Sequence, residues 1–330
     1  MKFAKMDFRR IACVMSLLSL GPACLAAGAE ADYPNRPVRI VVGFPPGQGV
    51  DTMARAFAPK LQALLGRPFI VDNKSGAGGI IGQQAVASSP ADGYTIMLTS
   101  SGPMAINPSI YEKLPYDPIK SYAPIAGVTT IPLVMVINPD FAAQNLQQLI
   151  AQAQSQPGKI NFASGGSGLT NHLAMEMFSK AAGISMSHVP YKGSPPALTD
   201  LMAGRVSVMF DTPLTVLSLI KDGRLKPIAV SGTNRMATLA DVPTVAESGF
   251  PGFSAFAWWA FVAPAGTPEA IVAKLNDAIT KTVNAPDMHK YFAEQGVEPM
   301  PMTPAGLGAF IASEIEKWGK AAKGAGAKVD

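Results

Sequence analysis

Two glycine-rich turns are the stretches of this 330-residue chain best suited to chemistry. The first, residues 44–51, follows the apolar run Val38–Val42, and the second, residues 164–170, follows residues 159–163. Each precedes an amphipathic stretch, so each is predicted to join a strand to a helix. Backbone N–H groups at a helix N-terminus bind anions, helped by the positive end of the helix dipole. Neither turn contains lysine or arginine, which favours a small carboxylate held by neutral donors between two lobes.

The start of the chain has the pattern of a secretory signal peptide. Basic residues precede an uncharged, mostly apolar stretch over residues 11–29, and an Ala-x-Ala pattern then favours cleavage before Asp32. A permanent membrane anchor is the alternative, but the stretch is shorter than the ~20 residues that cross a bilayer. We therefore predict that residues 1–31 are removed during export.

Both cysteines, Cys13 and Cys24, lie in that segment. The mature chain is thus predicted to have no thiol nucleophile, disulfide or cysteine–metal site. Its 299 residues suffice for about two domains. Removing the segment leaves 23 basic and 21 acidic residues, a net charge of +2. Without a basic run, nucleic-acid binding has no support.

Strand and helix signals alternate along the mature chain, which predicts an α/β architecture. The two glycine-rich turns occupy equivalent places in two half-chains, so we expect two lobes with a ligand cleft at the carboxyl ends of the strands. We assign residues 32–133 and 257–330 to the first lobe and residues 134–256 to the second. The first helix is predicted to begin with Asp51 as its N-cap and to end at Gly66.

The sequence does not match the common motifs of enzymes. The turn at residues 47–52 lacks the last small residue of a dinucleotide fingerprint, and no Gly-Lys-Ser/Thr of a P-loop occurs. The histidines, His172, His188 and His289, have no metal-ligand spacing, so we expect no metal site and no cofactor. A nucleophilic dyad of Ser167 with His172 or His188 remains an alternative. His289 is expected to be solvated.

An ordered series of short motifs gives the chain its clearest likeness. It resembles the periplasmic substrate-binding receptors of tripartite tricarboxylate transporters, the Bug family, essentially end to end from Tyr33. The motifs are Tyr33-Pro34-Asn35-Arg36-Pro37, Phe44-Pro45-Pro46-Gly47 with Asp51, Gly76-Ala77-Gly78-Gly79, Asp92-Gly93-Tyr94-Thr95, Leu114-Pro115-Tyr116-Asp117-Pro118, His188-Val189-Pro190-Tyr191-Lys192-Gly193, Asp241-Val242-Pro243-Thr244 and Ala263-Pro264-Ala265-Gly266-Thr267-Pro268.

The resemblance implies a two-lobed Venus flytrap fold without catalysis. It implies a monomeric periplasmic protein that captures a small carboxylate and delivers it to the membrane permease subunits of such a transporter. A sensor that feeds a signalling partner is the alternative within the same fold. A cleft hydrolase is the less favoured one.

The resemblance also points to binding residues. Gln48 replaces the family's usual second glycine in the first turn and adds a side-chain donor. The second turn is expected to hold a carboxylate through its hydroxyls, and neighbouring strand ends face the same opening. The predicted binding residues are Phe44, Gly47, Gln48, Gly49, Val50, Ser100, Ser101, Ser164, Gly165, Ser167, Gly168, Thr170, His172, Asp211 and Trp258.

The pair Trp258-Trp259 departs from the family pattern, in which one aromatic residue is usual here. Strand alternation sends the two indoles to opposite faces, so at most one lines the cleft. We place Trp258 there. Its flat apolar surface suits a ring, which favours an aromatic mono- or dicarboxylate, with an aliphatic dicarboxylate as the alternative.

Overall fold

The computed structural model describes residues 32–325, which form two mixed β-sheets covered by helices. The predicted signal peptide and both cysteines lie outside the described residues. The strands are β1 (Val38–Val42), β2 (Phe69–Asn73), β3 (Thr95–Ser100), β4 (Tyr122–Pro132), β5 (Val134–Ile137), β6 (Asn161–Ser164), β7 (Ser187–Pro190), β8 (Val208–Asp211), β9 (Lys226–Val230), β10 (Phe256–Pro264) and β11 (Glu298–Pro299).

The helices alternate with these strands for most of the chain. They are α1 (Gly49–Leu65), α2 (Ile80–Ala87), α3 (Asn107–Ile110), α4 (Leu146–Ser155), α5 (Thr170–Ala181), α6 (Ser194–Met202), α7 (Pro213–Lys221), α8 (Glu269–Val283), α9 (Pro286–Gln295) and α10 (Pro304–Ala325). A π-helical turn, Gly102–Ile106, connects β3 to α3. None of the helices described between residues 32 and 325 combines the length and apolarity of a membrane span.

The first sheet has the strand order β11-β4-β10-β3-β1-β2. Strand β1 runs parallel to β2 and β3, whereas β10 runs antiparallel to β3 and β4. The apolar runs of β1 and β3 are almost wholly buried, as expected for parallel strands that helices cover on both faces. This sheet places the ends of β1 and β3, with the turns that follow them, at one edge.

The second sheet has the order β7-β6-β8-β5-β9, with β6 parallel to β7 and β8. The chain passes from the first sheet to the second between Pro132 and Val134 and returns to the first at Phe256. The crossing segments are joined by Ser231, whose hydroxyl accepts the Leu133 N–H at 2.8 Å and donates to the Ala255 carbonyl. Short, hydrogen-bonded crossings of this kind suit a hinge between two lobes.

Helix α1 begins two residues before its predicted start. Gln48 is the N-cap by backbone conformation, and Asp51 lies in the first helical turn, so the prediction of Asp51 as N-cap is corrected. Gly66 ends the helix in the left-handed region at φ +73°, as its sequence position predicts.

Candidate functional site

A small cavity of about 50 Å³ lies between the two sheets. The starts of α1, α5 and α7 and the turn after β3 all reach it, so several positive helix ends face one space. Its lining residues are Phe44, Gln48, Gly49, Val50, Ser100, Ser101, Gly102, Leu133, Leu169, Thr170, Asn171, Asp211, Thr212, Ala257 and Trp259.

The start of α1 presents two unused backbone donors to the cavity. Neither the Gly49 nor the Val50 N–H has an acceptor among the described residues, whereas the Asp51 N–H donates to the Gln48 carbonyl at 2.8 Å. Gly49 is tightly enclosed. A Cβ there would lie 2.6 Å from Thr212 Oγ1 and 3.0 Å from the Trp259 ring. Glycine at this position therefore lets the backbone approach the opposite lobe.

The turn before α1 is fixed from within by Asp51. This buried carboxylate accepts hydrogen bonds from the Gly47 N–H at 2.9 Å, from Arg55 Nε at 3.0 Å and from Asn73 Nδ2 at 2.9 Å. Burial alone would raise the pKa of Asp51, but the hydrogen bonds from Arg55, Gly47 and Asn73 together lower it. Because its N–H is engaged, Gly47 shapes the turn and does not line the cavity.

The start of α5 faces α1 from the second lobe. The N–H groups of Thr170 and Asn171 have no acceptor among the described residues, and the His172 N–H donates to Asn171 Oδ1 at 2.9 Å. Thr170 Oγ1 lies 2.5 Å from Ser101 Oγ of the first lobe. This hydroxyl pair joins the two lobes directly beside the cavity, as expected of a closed conformation.

The residues of the second turn before Leu169 do not line the cavity. Ser164 Oγ lies 2.7 Å from His188 Nε2, and the Gly168 N–H donates to His172 Nδ1 at 3.2 Å. Gly165 and Ser167 border a separate outer groove between the lobes. Within residues 32–325 no hydrogen bond joins Ser167 to a histidine, so the proposed dyad does not form there. The predicted residues outside the cavity lining are Gly47, Ser164, Gly165, Ser167, Gly168, His172 and Trp258.

His172 and His188 stack on each other and on Phe162. The histidine ring centroids are 3.9 Å apart with an interplanar angle of 14°, and Phe162 lies 4.8 Å from His188. Burial and the neighbouring His188 lower the pKa of His172 to about 3, and burial lowers the pKa of His188 to about 4. Both rings are therefore neutral at pH 7, and they support the turn that precedes α5. His289 is exposed, as predicted.

This stack predicts acid sensitivity. Because the pKa of each histidine is lower in the folded state than its ordinary 6.5, the unfolded chain takes up more protons as the pH falls through 6.5. From about pH 7.5 to about pH 5.5, each histidine is expected to remove about 1 kcal/mol from the free energy of unfolding. Urea unfolding of wild type and of the variants His172→Gln and His188→Gln measures this loss.

Comparison with the variants isolates the histidines. Burial raises the pKa values of Asp211 and Glu176, so these groups increase the free energy of unfolding as the pH falls. Their contribution is the same in wild type and in the histidine variants. His289→Gln is the matched control and is expected to keep the wild-type pH dependence. Equal pH dependence in all the variants would contradict the assignment of the stack as the acid-sensitive element.

Strand β10 corrects the choice between its two tryptophans. Trp258 is 1% exposed, and its Nε1 donates to Glu314 Oε2 at 2.9 Å while its ring packs against Phe310. Trp259 lies on the opposite face and lines the cavity. Alternation along the strand separates the two indoles as predicted, but the helix α10 covers the Trp258 face. Trp258 therefore belongs to the core, and the indole at the cavity is that of Trp259.

Among the described residues that line the cavity, Asp211 has the one titratable side chain. Its Oδ1 accepts the Thr212 N–H at 2.8 Å, and Oδ2 has no hydrogen-bond partner in the described part of the chain. Burial raises the pKa of Asp211 to about 6, although the hydroxyls of Ser194 and Thr215 and the Thr212 N–H act in the opposite direction. Within residues 32–325 no group of three or more histidine, cysteine or acidic residues could hold a metal ion.

Several lining residues escaped prediction. They share a place next to a predicted residue or at a crossing between the lobes: Gly102, Leu133, Leu169, Asn171, Thr212, Ala257 and Trp259. Thr212 carried a usable signal, because a threonine followed by Pro213 is typical of a helix start. Leu133 and Ala257 carried none, since only the crossing of the chain brings them to the cavity.

Two lobes on either side of a cavity lined by helix N-termini define a solute-binding protein with the fold of periplasmic binding proteins. The sequence profile described as "Tripartite tricarboxylate transporter family receptor" matches residues 53–326. The chain belongs to this family, which confirms the resemblance. This chain is similar to BugT of Bordetella pertussis. The two are 39% identical over 326 residues, which cover 98% of this chain and 100% of BugT.

Solved structures give the same result. A protein of R. palustris solved with adipate has a TM-score of 0.88 and 34% identity, covering 90% of this chain and 100% of that chain. MatC from Rhodopseudomonas palustris with bound malate has a TM-score of 0.83 and 30% identity, covering 88% of this chain and 99% of that chain. The two-lobed α/β fold is therefore confirmed, and the family is one of receptors.

Proposed function

We propose that this receptor captures a small mono- or dicarboxylate in the periplasm and delivers it, as a monomer, to the permease subunits of a tripartite tricarboxylate-type transporter. One observation carries the proposal. Four N–H groups without an acceptor in the described part of the chain border the same cavity, those of Gly49 and Val50 in one lobe and of Thr170 and Asn171 in the other. Paired helix N-termini offset the cost of desolvating a carboxylate without a cation. The signal-peptide pattern of residues 1–31 supports export.

The ligand is proposed from the cavity and from the relatives. Adipate and malate are aliphatic dicarboxylates, and their presence in two relatives supports a diacid of four to six carbons. Phe44 and Trp259 give the cavity two aromatic side chains, which supports an aromatic diacid equally. Both classes therefore belong in the test.

The test combines calorimetry with small-angle scattering. We expect at least one acid among succinate, malate, aspartate, adipate and benzene-1,2-dicarboxylate to bind saturably. The same acid is expected to reduce the radius of gyration, because a ligand bound by both lobes favours the arrangement in which Ser101 contacts Thr170. Because Trp259 lines the cavity, binding of the acid is also expected to change the tryptophan fluorescence of the wild-type protein. Trp259→Phe is expected to lose this change, and Trp258→Phe is expected to retain it.

Two results would contradict the proposal. One is the absence of saturable binding for every acid by a protein whose circular dichroism shows that it is folded. The other is saturable binding with an unchanged scattering profile, which would exclude capture by closure of the lobes.

A further inference from the structure

Asp211 is held in the cavity with too few hydrogen-bond donors. The residue is 3% exposed, and among residues 32–325 the Thr212 N–H is the one group that donates to its carboxylate with standard geometry. A carboxylate accepts about four hydrogen bonds, and Oδ2 has no partner within residues 32–325. A buried carboxylate in this state carries an uncompensated desolvation cost.

The hydroxyls of Ser194 and Thr215 lie close to Asp211, but neither makes a hydrogen bond of standard geometry to it in this structure. Ser194 is close enough to lower the pKa of Asp211, but its Oγ makes no hydrogen bond of standard geometry. The Thr215 hydroxyl donates to the Thr212 carbonyl at 2.8 Å. No lysine, arginine or histidine of the described residues lines the cavity. The molecule that fills the cavity is therefore the natural source of a donor.

We propose that Asp211 makes the cavity selective for carboxylates that also carry a hydrogen-bond donor, a hydroxyl or an ammonium group. The proposal rests on the proposed function, since the helix N–H groups hold the carboxylate itself. A dianion without a hydrogen-bond donor places further negative charge near the Asp211 carboxylate, and no described residue of the cavity lining is a cation that could balance it. A hydroxyl satisfies Oδ2, and an ammonium group satisfies it and also balances its charge.

Three acids with one carbon skeleton test this selectivity. Succinate, malate and aspartate differ only in bearing a hydrogen, a hydroxyl or an ammonium group on the same carbon. At about pH 7.5, calorimetry is expected to show malate or aspartate binding roughly tenfold to a hundredfold more tightly than succinate, as one hydrogen bond to a charged group predicts. The preferred acid of the two identifies the donor.

The variant Asp211→Asn is expected to remove this preference, because it abolishes the charge at the cavity. Asp222→Asn is the matched control. Asp222 lies at the other end of α7 and is exposed, so its replacement is expected to leave all affinities unchanged. The ligand series in the wild-type protein tests the proposal independently of how either variant folds.

Each remaining outcome overturns a stated claim. If neither the three acids of the series nor adipate nor benzene-1,2-dicarboxylate binds, the proposed function is wrong, and the proposed selectivity is wrong with it. If succinate, adipate or benzene-1,2-dicarboxylate binds as tightly as malate and aspartate, the receptor function stands and the selectivity is wrong. If the wild-type protein at about pH 5.5 binds succinate more tightly than malate and aspartate, protonated Asp211 donates a hydrogen bond to the ligand. The proposed role of Asp211 as an acceptor is then wrong.

Discussion

Replacing Gly49 by alanine is expected to weaken carboxylate binding roughly tenfold to a hundredfold while leaving the protein folded. The added Cβ would lie 2.6 Å from Thr212 Oγ1, closer than atoms of this kind approach, and 3.0 Å from the Trp259 ring. Thr212 belongs to the second lobe and Gly49 to the first, so relief of this overlap holds the lobes apart. Overpacking of this kind costs about 1–3 kcal/mol, which corresponds to the stated loss of affinity.

Folding is expected to survive because Gly49 begins a helix and does not have a positive φ. Alanine favours helix more than glycine does by about 0.5–1 kcal/mol. The measurement is calorimetry with the tightest-binding acid, followed by scattering to show that closure is lost.

Gly308→Ala is the matched control for this substitution. Gly308 also lies in a helix, α10, and a Cβ there would meet its nearest atom, Pro124 Cγ, at an ordinary 3.6 Å. Its affinity and scattering change are expected to equal those of wild type. Wild-type affinity in Gly49→Ala would show that the lobes do not close as tightly as in this structure.

Replacing Asp211 by asparagine is expected to stabilise the ligand-free protein at about pH 8 by about 2 kcal/mol. The pKa of this carboxyl is about 6 in the folded protein against an ordinary value of 3.8. Burial therefore disfavours its charged form, and a difference of about two pKa units corresponds to about 2–3 kcal/mol. Asparagine has a similar volume, has no charge and keeps an acceptor for the Thr212 N–H.

The sign of this effect depends on pH. Because the folded state binds the Asp211 proton more tightly, the cost of ionisation is present above about pH 6 and disappears as the pH falls toward about 4. The advantage of the variant is expected to shrink over that range in urea unfolding. Equal stability of wild type and variant at about pH 8 would show that Asp211 is hydrated in solution.

Asp51→Asn provides the opposite control. The hydrogen bonds from Arg55, Gly47 and Asn73 outweigh burial and lower the pKa of Asp51, so its ionised form stabilises the fold at neutral pH. This variant is expected to be less stable than wild type at about pH 8, with the difference decreasing as the pH falls below about 4. The same chemical change at two buried aspartates thus gives stability changes of opposite sign.

The sequence by itself determined the architecture and the place of the site. Alternating strand and helix signals predict an α/β chain, and glycine-rich turns after apolar runs mark where the N-termini of α1 and α5 reach the cavity. The ordered motifs of the family span the whole mature chain. These features are local, because strand propensity, helix capping and turn conformation depend on neighbouring residues. Gly66 illustrates this, since its left-handed conformation ends α1 at the predicted place.

Only the tertiary structure decided which side chains face the cavity. A period of two separates Trp258 from Trp259, but the packing of α10 on one face of β10 selects Trp259 for the cavity. Ser164 resembles a ligand contact in sequence, yet His188, 24 positions away, engages its hydroxyl. The charge cost at Asp211 likewise depends on burial by elements distant in sequence. Long-range contacts set side-chain direction and desolvation, and a local pattern does not contain them.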